Sequence, residues 1–188
     1  GVRLITGWAT FLDGKTCNVT DSDANKIAHI STENVILATG SKPIELPFMP
    51  YDEENIISST GALDLDELPE KIAVIGGGYI GLELGCALRK LGVEITVIEG
   101  LDTVVAIFDA EIRRPLERWL KKNKVKVHTN CMAQGAKISS DGVELSWKNK
   151  DGDLISETFG KVLVTVGRKA NTNGWGLEEM GVKMDDSG

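Results

Sequence analysis

The spacing of hydrophobic and polar residues changes from one segment of the chain to the next, and the pattern is clearest in the middle. Residues 71–75, KIAVI, are almost continuously apolar, which is typical of a strand buried on both faces of a parallel sheet. A glycine turn follows, then a helical segment that ends at Lys90 with Gly92 as its C-cap, and then a second apolar strand over residues 95–98. This order predicts a βαβ unit.

A further helix is predicted over residues 110–124, AEIRRPLERWLKKNK, with Asp109 as its N-cap. Pro115 lies six positions past this cap. A proline there removes a backbone hydrogen bond, so we expect it to kink the first turns of the helix. The apolar segment VKVHT comes next and predicts a third parallel strand.

Short alternating segments flank this unit on both sides. Before it, strands are predicted in VRLITGWATFL, KTCNVTD, KIAHIS and NVILATG, with a hairpin turn at the Asp-Gly pair 13–14. After it, GAKIS, GVELSWK and LISETFG are predicted to pair through turns at the Asp-Gly pairs 141–142 and 151–152, and KVLVTVG is predicted to be a last apolar strand. The sequence therefore predicts an α/β fold with a parallel sheet, helices and an antiparallel β-meander.

The prolines indicate how the chain is divided. Four of the five fall between residues 41 and 69 among acidic residues, a composition typical of a surface linker. We therefore expect a linker over residues 43–69, between a partial domain in residues 1–42 and a main domain in residues 70–170. The N-terminus has neither an initiator methionine nor a targeting segment, which predicts that the sequence is a portion of a longer chain.

Charge and cysteine content narrow the possible functions. A net charge of −7 does not support nucleic-acid binding, which would require a basic face. The apolar run around the glycine turn is too short for a membrane span and contains Glu83, so we expect no membrane insertion. The three cysteines, Cys17, Cys86 and Cys131, are too scattered for a disulfide framework or a metal site. They fit a reducing compartment, and we expect a cytoplasmic protein.

The glycine turn carries the strongest chemical signal. Gly76, Gly78 and Gly81 have the spacing G-x-G-x-x-G between a strand and a helix. These glycines permit, in that order, a tight turn, the approach of a pyrophosphate to the helix N-terminus, and close packing of helix and strand. Glu99, 23 residues after Gly76, stands where an acid accepts hydrogen bonds from the adenosine ribose. No Lys or Arg follows it in EGLDTVV to receive a 2′-phosphate, so NAD is predicted over NADP.

Other nucleotide-binding classes fit these residues less well. A methyltransferase more often has G-x-G-x-G. A short-chain dehydrogenase requires a Tyr-x-x-x-Lys base, and neither Tyr51 nor Tyr79 has a lysine four positions on. A hydroxy-acid dehydrogenase requires a catalytic histidine beyond the cofactor domain.

Three blocks of the sequence together resemble the flavoprotein disulfide reductases, which are FAD- and NAD-dependent pyridine nucleotide-disulfide oxidoreductases. The blocks, in chain order, are VILATGSKP, IAVIGGGYIGLELGCALRKLGVEITVIE and VLVTVGRKANTNGWGLEEMGV. The resemblance implies a Rossmann-like FAD/NAD(P)-binding fold. Residues 1–42 would be the C-terminal part of an FAD-binding domain, residues 70–170 an NAD-binding domain, and residues 171–188 the return towards the FAD domain.

The resemblance also implies which residues bind the cofactors, and it implies no catalytic residue within this sequence. For NAD they are Gly76, Gly77, Gly78, Tyr79, Ile80, Gly81, Glu83, Glu99, Cys131 and Gly167, and for FAD they are Thr39, Gly40, Ser41 and Arg168. Glu83 would lie beside the flavin and the nicotinamide, although the helix N-terminal dipole alone also favours an acid there. Tyr79 would cover the nicotinamide pocket or only pack, and Cys131 would lie beside the adenine. Ala170 departs from the proline that relatives usually have.

The implied activity is hydride transfer from reduced FAD to NAD after oxidation of a dihydrolipoyl group on a lipoyl-bearing protein, in an enzyme that is a homodimer when full length. The C-x-x-x-x-C dithiol of the family is absent from these residues. Two alternatives stay open: another FAD/NAD(P)H disulfide reductase or an NADH oxidase, which would share every motif seen here, and a non-catalytic NAD-binding module.

Overall fold

The structure is a computed structural model that describes residues 1–185 and divides the chain into two units. Unit 1 comprises Gly1–Lys42 and the described residues from Lys169 onward, and unit 2 is Pro43–Arg168. Among residues 1–185, no helix combines the length and the apolar character needed to cross a bilayer. The assignment of the units to an FAD-binding and an NAD-binding domain stays a prediction.

The chain forms thirteen strands and three helices within the described residues. In chain order they are β1 (Trp8–Phe11), β2 (Thr16–Thr20), β3 (Lys26–Ser31), β4 (Ser41–Pro43), β5 (Ile56–Ile57), α1 (Ser59–Leu63), β6 (Lys71–Ile75), α2 (Tyr79–Lys90), β7 (Glu94–Ile98), α3 (Ala110–Lys122), β8 (Lys126–His128), β9 (Met132–Ser139), β10 (Gly142–Lys148), β11 (Leu154–Phe159), β12 (Lys161–Val164) and β13 (Arg168–Ala170). The short strands β4 and β13 form a two-stranded sheet.

Unit 1 contains the antiparallel sheet β1-β2-β3, whose first hairpin turns at the predicted Asp-Gly pair. Phe11 and Cys17 of this sheet pack with Trp175 in a small core. The predicted strand NVILATG is wrong, because residues 34–40 form no strand and Ile36 is 94% exposed. Within the described residues no strand pairs with this segment, so its backbone lacks the ladder of hydrogen bonds that defines a β-strand.

Unit 2 is built on a parallel sheet with the strand order β5-β12-β6-β7-β8. Its three middle strands β12, β6 and β7 are buried on both faces over most of their length, as the continuous apolar runs predicted, whereas the edge strand β8 is partly exposed. Ile72 and Val74 of β6 pack against Leu82 and other side chains of the helices, whereas the alternate residues Ala73 and Ile75 pack against the meander. The predicted βαβ unit, with its third parallel strand, is confirmed.

The predicted meander is also confirmed, as the antiparallel sheet β9-β10-β11. Its inward side chains include Trp147, which is 1% exposed. Helix α3 begins after Asp109, as predicted, but the Asp109 side chain makes no capping hydrogen bond. Pro115 lies inside α3, which continues as one helix from Ala110 to Lys122.

Residues 43–69, predicted to be a linker, contain β5 and α1 and lie within unit 2. Ile56 and Ile57 are fully buried at the edge of the parallel sheet. The turn before them is fixed by the carboxylate of Asp52. Burial raises the pKa of Asp52, but hydrogen bonds from the Asn55 amide and from backbone N–H groups, including that of Glu54, outweigh this effect and lower the pKa to about 2.

Gly92 provides a test of the backbone at the end of α2. Its φ of +103° is unfavourable for any side chain, although a Cβ there would meet no atom within 4 Å. We expect Gly92→Ala to lower the free energy of unfolding by about 1–2 kcal/mol, measured by urea denaturation. Gly135 is the control, because it also has open space but no positive φ. Equal losses in Gly92→Ala and Gly135→Ala would contradict the backbone explanation.

Candidate functional site

The glycine turn lies at the carboxyl edge of the parallel sheet, after its central strand β6. Three backbone hydrogen bonds join the ends of neighbouring strands there: Gly76 N–H to Ile98 O (2.9 Å), Glu99 N–H to His128 O (2.8 Å) and Thr165 N–H to Ile75 O (2.8 Å). The next strand in the chain, β7, lies on one side of β6, and β12 lies on the other. Such a reversal of strand order opens a crevice at the carboxyl edge, where ligands bind in open α/β sheets.

The first and last glycines of the motif are required by packing. Gly76 has a φ of +96°, and a Cβ on it would lie 2.6 Å from the carbonyl oxygen of Thr165. A Cβ on Gly81 would overlap the carbonyl oxygen of Gly76 and the hydroxyl of Thr165. A larger residue at either position would therefore separate the turn, the helix and β12.

Gly78 differs from these two glycines. Its φ of −73° suits any residue, and a Cβ on it would meet no protein atom within 4 Å. Protein packing therefore does not explain the glycine. The open space beside it is what a bound group needs in order to approach the backbone closely.

The N-terminus of α2 lies beside this space and has no side-chain cap. Gly78 is the N-cap residue, and it offers no side chain to bind the first N–H groups of the helix. Within the described part of the chain, the N–H groups of residues 78–81 have no hydrogen-bond partner. Unpaired N–H groups and the positive end of the helix dipole together favour an anion such as a phosphate.

Glu99 is held beside the turn by two backbone donors. The N–H of Gly77 donates to its Oε2 at 2.5 Å, and the N–H of Leu101 donates to its Oε1 at 2.8 Å. The side chain is half-buried. Each carboxylate oxygen accepts more than one hydrogen bond, so both keep capacity for the two hydroxyls of a ribose.

Three of the predicted NAD residues lie on the first turns of α2. Tyr79 is 56% exposed and Ile80 is half-buried. Glu83 is exposed and makes no hydrogen bond or ion pair with any residue that the structure describes. Its carboxylate is therefore available to a further group, and its place beside a flavin stays a prediction.

Cys131 has a structural role next to Glu99. It is 5% exposed, its N–H donates to Glu99 O at 2.9 Å, and its thiol donates to Thr129 O at 3.3 Å. Burial raises the pKa of the thiol, which is the opposite of what a reactive cysteine requires. Contact with an adenine stays a prediction for this residue.

Gly167 and Arg168 follow β12 in unit 2. Gly167 has a φ of +133°, and its carbonyl oxygen accepts a hydrogen bond from the Ile44 N–H at 3.0 Å. The exposed Arg168 reaches the hydroxyl of Ser59 at 3.5 Å. Both residues lie at the carboxyl edge of the sheet, beyond Thr165.

The predicted FAD residues Thr39, Gly40 and Ser41 are exposed in unit 1. Gly40 has a φ of +70°. Asn171 holds this turn through its N–H, which donates to Gly40 O at 3.0 Å, and through its side-chain amide, which donates to Thr39 O at 3.3 Å. A joint role with Arg168 towards FAD stays a prediction, because the structure describes these residues in separate units.

The sequence did not predict that Val104, Val105 and Thr165 contact the glycine turn. The N–H of Val105 donates to Gly77 O at 2.8 Å, and a Cβ on Gly77 would lie 2.7 Å from a methyl group of Val104. The hydroxyl of Thr165 is 3.1 Å from the carbonyl oxygens of Ile75 and Gly76. No motif marks the two valines, whereas Thr165 is recognisable by its position directly after an apolar strand.

Comparison with known proteins gives a consistent family. A sequence model of the family described as pyridine nucleotide-disulphide oxidoreductase matches residues 1–188. Among curated proteins, the dihydrolipoyl dehydrogenase of Bacillus subtilis is 42% identical over 188 residues, which are 100% of this chain and 39% of that protein. The dihydrolipoyl dehydrogenase of Staphylococcus aureus is 39% identical over 187 residues, again 100% of this chain and 39% of the relative. The chain thus spans about two fifths of the length of these relatives.

Solved structures agree with the fold. LpdA from Mycobacterium tuberculosis superimposes with a TM-score of 0.82 at 28% identity, covering 96% of this chain and 39% of that one. The HOCl-induced flavoprotein disulfide reductase RclA from Escherichia coli has the same TM-score at 22% identity, with coverages of 99% and 41%, and shows likeness of fold alone. The predicted fold class and family resemblance are confirmed.

Substitutions of Gly78 and Gly81 distinguish a glycine that leaves room for a ligand from a glycine that is required by protein packing. We expect Gly78→Val to keep the fold and lose dinucleotide binding, because its side chain would occupy space that no protein atom fills. We expect Gly81→Val to lower the thermal midpoint, because its side chain would overlap backbone atoms. Circular dichroism and calorimetry with NADH measure the two effects. Full NADH binding by Gly78→Val would mean that the open space beside the turn is not used.

Proposed function

Because the chain belongs to the pyridine nucleotide-disulphide oxidoreductase family, we propose that it is the NAD-binding portion of an FAD-dependent dihydrolipoyl dehydrogenase. The family's cofactors are FAD and NAD. The proposal includes a lipoyl-bearing protein as partner, a homodimer for the whole enzyme and a cytoplasmic location. The names of the relatives at about 40% identity support the choice of dihydrolipoyl dehydrogenase within the family.

The observation that carries this proposal is the pairing of an open glycine turn with a fixed acid. The unpaired N–H groups at the start of α2 begin at Gly78, beside which a Cβ would meet no protein atom, and Glu99 is hydrogen-bonded to the neighbouring residue of the same turn. An NAD molecule has a pyrophosphate and an adenosine ribose at adjacent positions. The two halves of the site therefore match two adjacent groups of one ligand.

The part of this chain in the reaction is to bind and orient the cofactor. When bound, FAD and NAD supply the redox chemistry, as hydride transfer from the reduced flavin to the nicotinamide. The N–H groups of residues 78–81 would hold the pyrophosphate, and Glu99 would hold the ribose hydroxyls. Glu83, exposed on α2, would present its carboxylate towards the nicotinamide end of the site.

Nucleotide preference tests the role of Glu99. We expect tighter binding of NADH than of NADPH, because the carboxylate accepts hydrogen bonds from ribose hydroxyls and repels a 2′-phosphate. Glu99→Ala should weaken NADH binding by roughly 1–3 kcal/mol, measured by calorimetry. Glu94→Ala is the matched control, since Glu94 is exposed at the opposite end of the same strand and should leave NADH binding unchanged. Equal affinity of the wild-type chain for both nucleotides would contradict the assignment of Glu99.

FAD content and dihydrolipoamide oxidation test the proposal that this chain is only the NAD-binding portion of the enzyme. We expect these 188 residues alone to be colourless and inactive towards dihydrolipoamide, because Thr39–Ser41 and Arg168 would contact only part of a flavin. No pair of cysteines replaces the absent dithiol: all three are free, and burial raises the pKa of both Cys86 and Cys131. Absorbance near the flavin bands and a lipoamide assay measure the outcome. A yellow, active protein from this chain would overturn the proposal that it is only the NAD-binding portion.

A further inference from the structure

Val105 has an unusual backbone conformation directly behind the glycine turn. Its φ is +43°, in the left-handed region that a β-branched residue rarely adopts. The side chain is buried in the same core cluster as Val104 and Leu82. A strained conformation persists only where the surrounding structure requires it. The hydrogen bonds of the Val105 backbone explain why this conformation is required.

Both backbone groups of Val105 are hydrogen-bonded. Its N–H donates to Gly77 O at 2.8 Å, and its carbonyl oxygen accepts from the Phe108 N–H at 2.9 Å. The hydrogen bond from Phe108 closes a turn that begins at Val105, and the Val105 N–H donates to Gly77 from the start of this turn. The left-handed conformation thus directs one N–H group at the glycine motif.

Both backbone groups of Gly77 are therefore hydrogen-bonded. Its N–H donates to Glu99 Oε2 at 2.5 Å, and its carbonyl oxygen accepts from Val105. With both groups used, Gly77 offers no backbone donor to a ligand. Its role is to fix the orientation of the next peptide.

The geometry of that peptide connects Val105 to the ligand space. The C=O of Gly77 and the N–H of Gly78 belong to one planar trans peptide, so they point in opposite directions. When Val105 holds the C=O, the Gly78 N–H faces away from Val105. It then joins the unpaired N–H groups at the start of α2.

We propose that Val105 is a positioning residue for pyrophosphate binding, which acts by fixing the Gly77–Gly78 peptide in the orientation that presents the Gly78 N–H. This inference rests on the proposed function. It assigns Val105 no contact with the dinucleotide. The binding energy is gained because the donors are already oriented before the ligand arrives.

The test compares two ligands that share the adenosine group. ADP-ribose has the pyrophosphate, and adenosine has only the ribose that Glu99 would bind. Val105→Pro removes the N–H and excludes a positive φ. We expect it to weaken ADP-ribose binding by about tenfold and to leave adenosine binding within about twofold, measured by calorimetry and by NMR titration, respectively. Val105→Gly keeps the N–H and tolerates the conformation, so it should bind ADP-ribose like the wild type.

Lys124→Pro is the control for a purely structural effect. Lys124 also has a positive φ, of +59°, and its N–H donates to Lys121 O at 3.1 Å, away from the glycine turn. Both proline variants should lower the thermal midpoint, but only Val105→Pro should change the ratio of the two affinities. If Val105→Pro does not fold, replacing only the Val105 amide by an ester removes the same N–H group.

Three results would count against the proposal, two of them against the role of Val105 alone. Unchanged ADP-ribose binding by the proline or ester form would overturn the role of Val105 alone, and so would equal losses for both ligands. Failure of the unmodified chain to bind ADP-ribose or NADH would overturn the proposed function, and this inference with it.

Discussion

The hydrogen bond between the Gly77 N–H and the Glu99 carboxylate joins the two halves of the candidate site. One partner belongs to the turn after β6 and the other to the end of β7, so the bond requires these strands to be adjacent and in register, with Ile75 opposite Ile98. The register depends on burial of both faces of the sheet, by the helices on one side and the meander on the other. A large apolar core thus determines the position of a small polar arrangement.

The four glycines of residues 76–81 have different physical roles. Gly76 and Gly81 are needed because the strand, the helix and β12 approach too closely for a Cβ. Gly77 has no room for a side chain beside Val104, and its backbone is fully bonded. Only at Gly78 is the space unfilled by protein. The same motif therefore contains both the packing that forms the turn and the opening that a ligand can use.

Much of this could be predicted from local sequence patterns, and the errors have a common cause. The G-x-G-x-x-G spacing, the apolar strands of the parallel sheet and Glu99 are local signals, and the structure places the turn between β6 and α2 and Glu99 directly after β7. The segment NVILATG has the pattern of a strand but no described neighbour to pair with, and β5 is only two residues long within a proline-rich stretch. Val105 was not predictable, because its conformation depends on a carbonyl 28 residues earlier in the sequence.

An acidic chain can still bind an anionic dinucleotide, because the relevant interactions are short. The net charge of −7 is spread over the whole sequence, and at physiological ionic strength charges beyond about 8 Å are largely screened. The N–H groups at the start of α2 act at hydrogen-bond distance, where screening by salt is weak. The local acid, Glu99, is hydrogen-bonded to the N–H of Gly77, whereas the unpaired N–H groups begin at Gly78, where a Cβ would meet no protein atom within 4 Å. If the proposed function holds, the carboxylate would accept from the ribose hydroxyls while the separate N–H donors bind the phosphates, so that both act on one ligand.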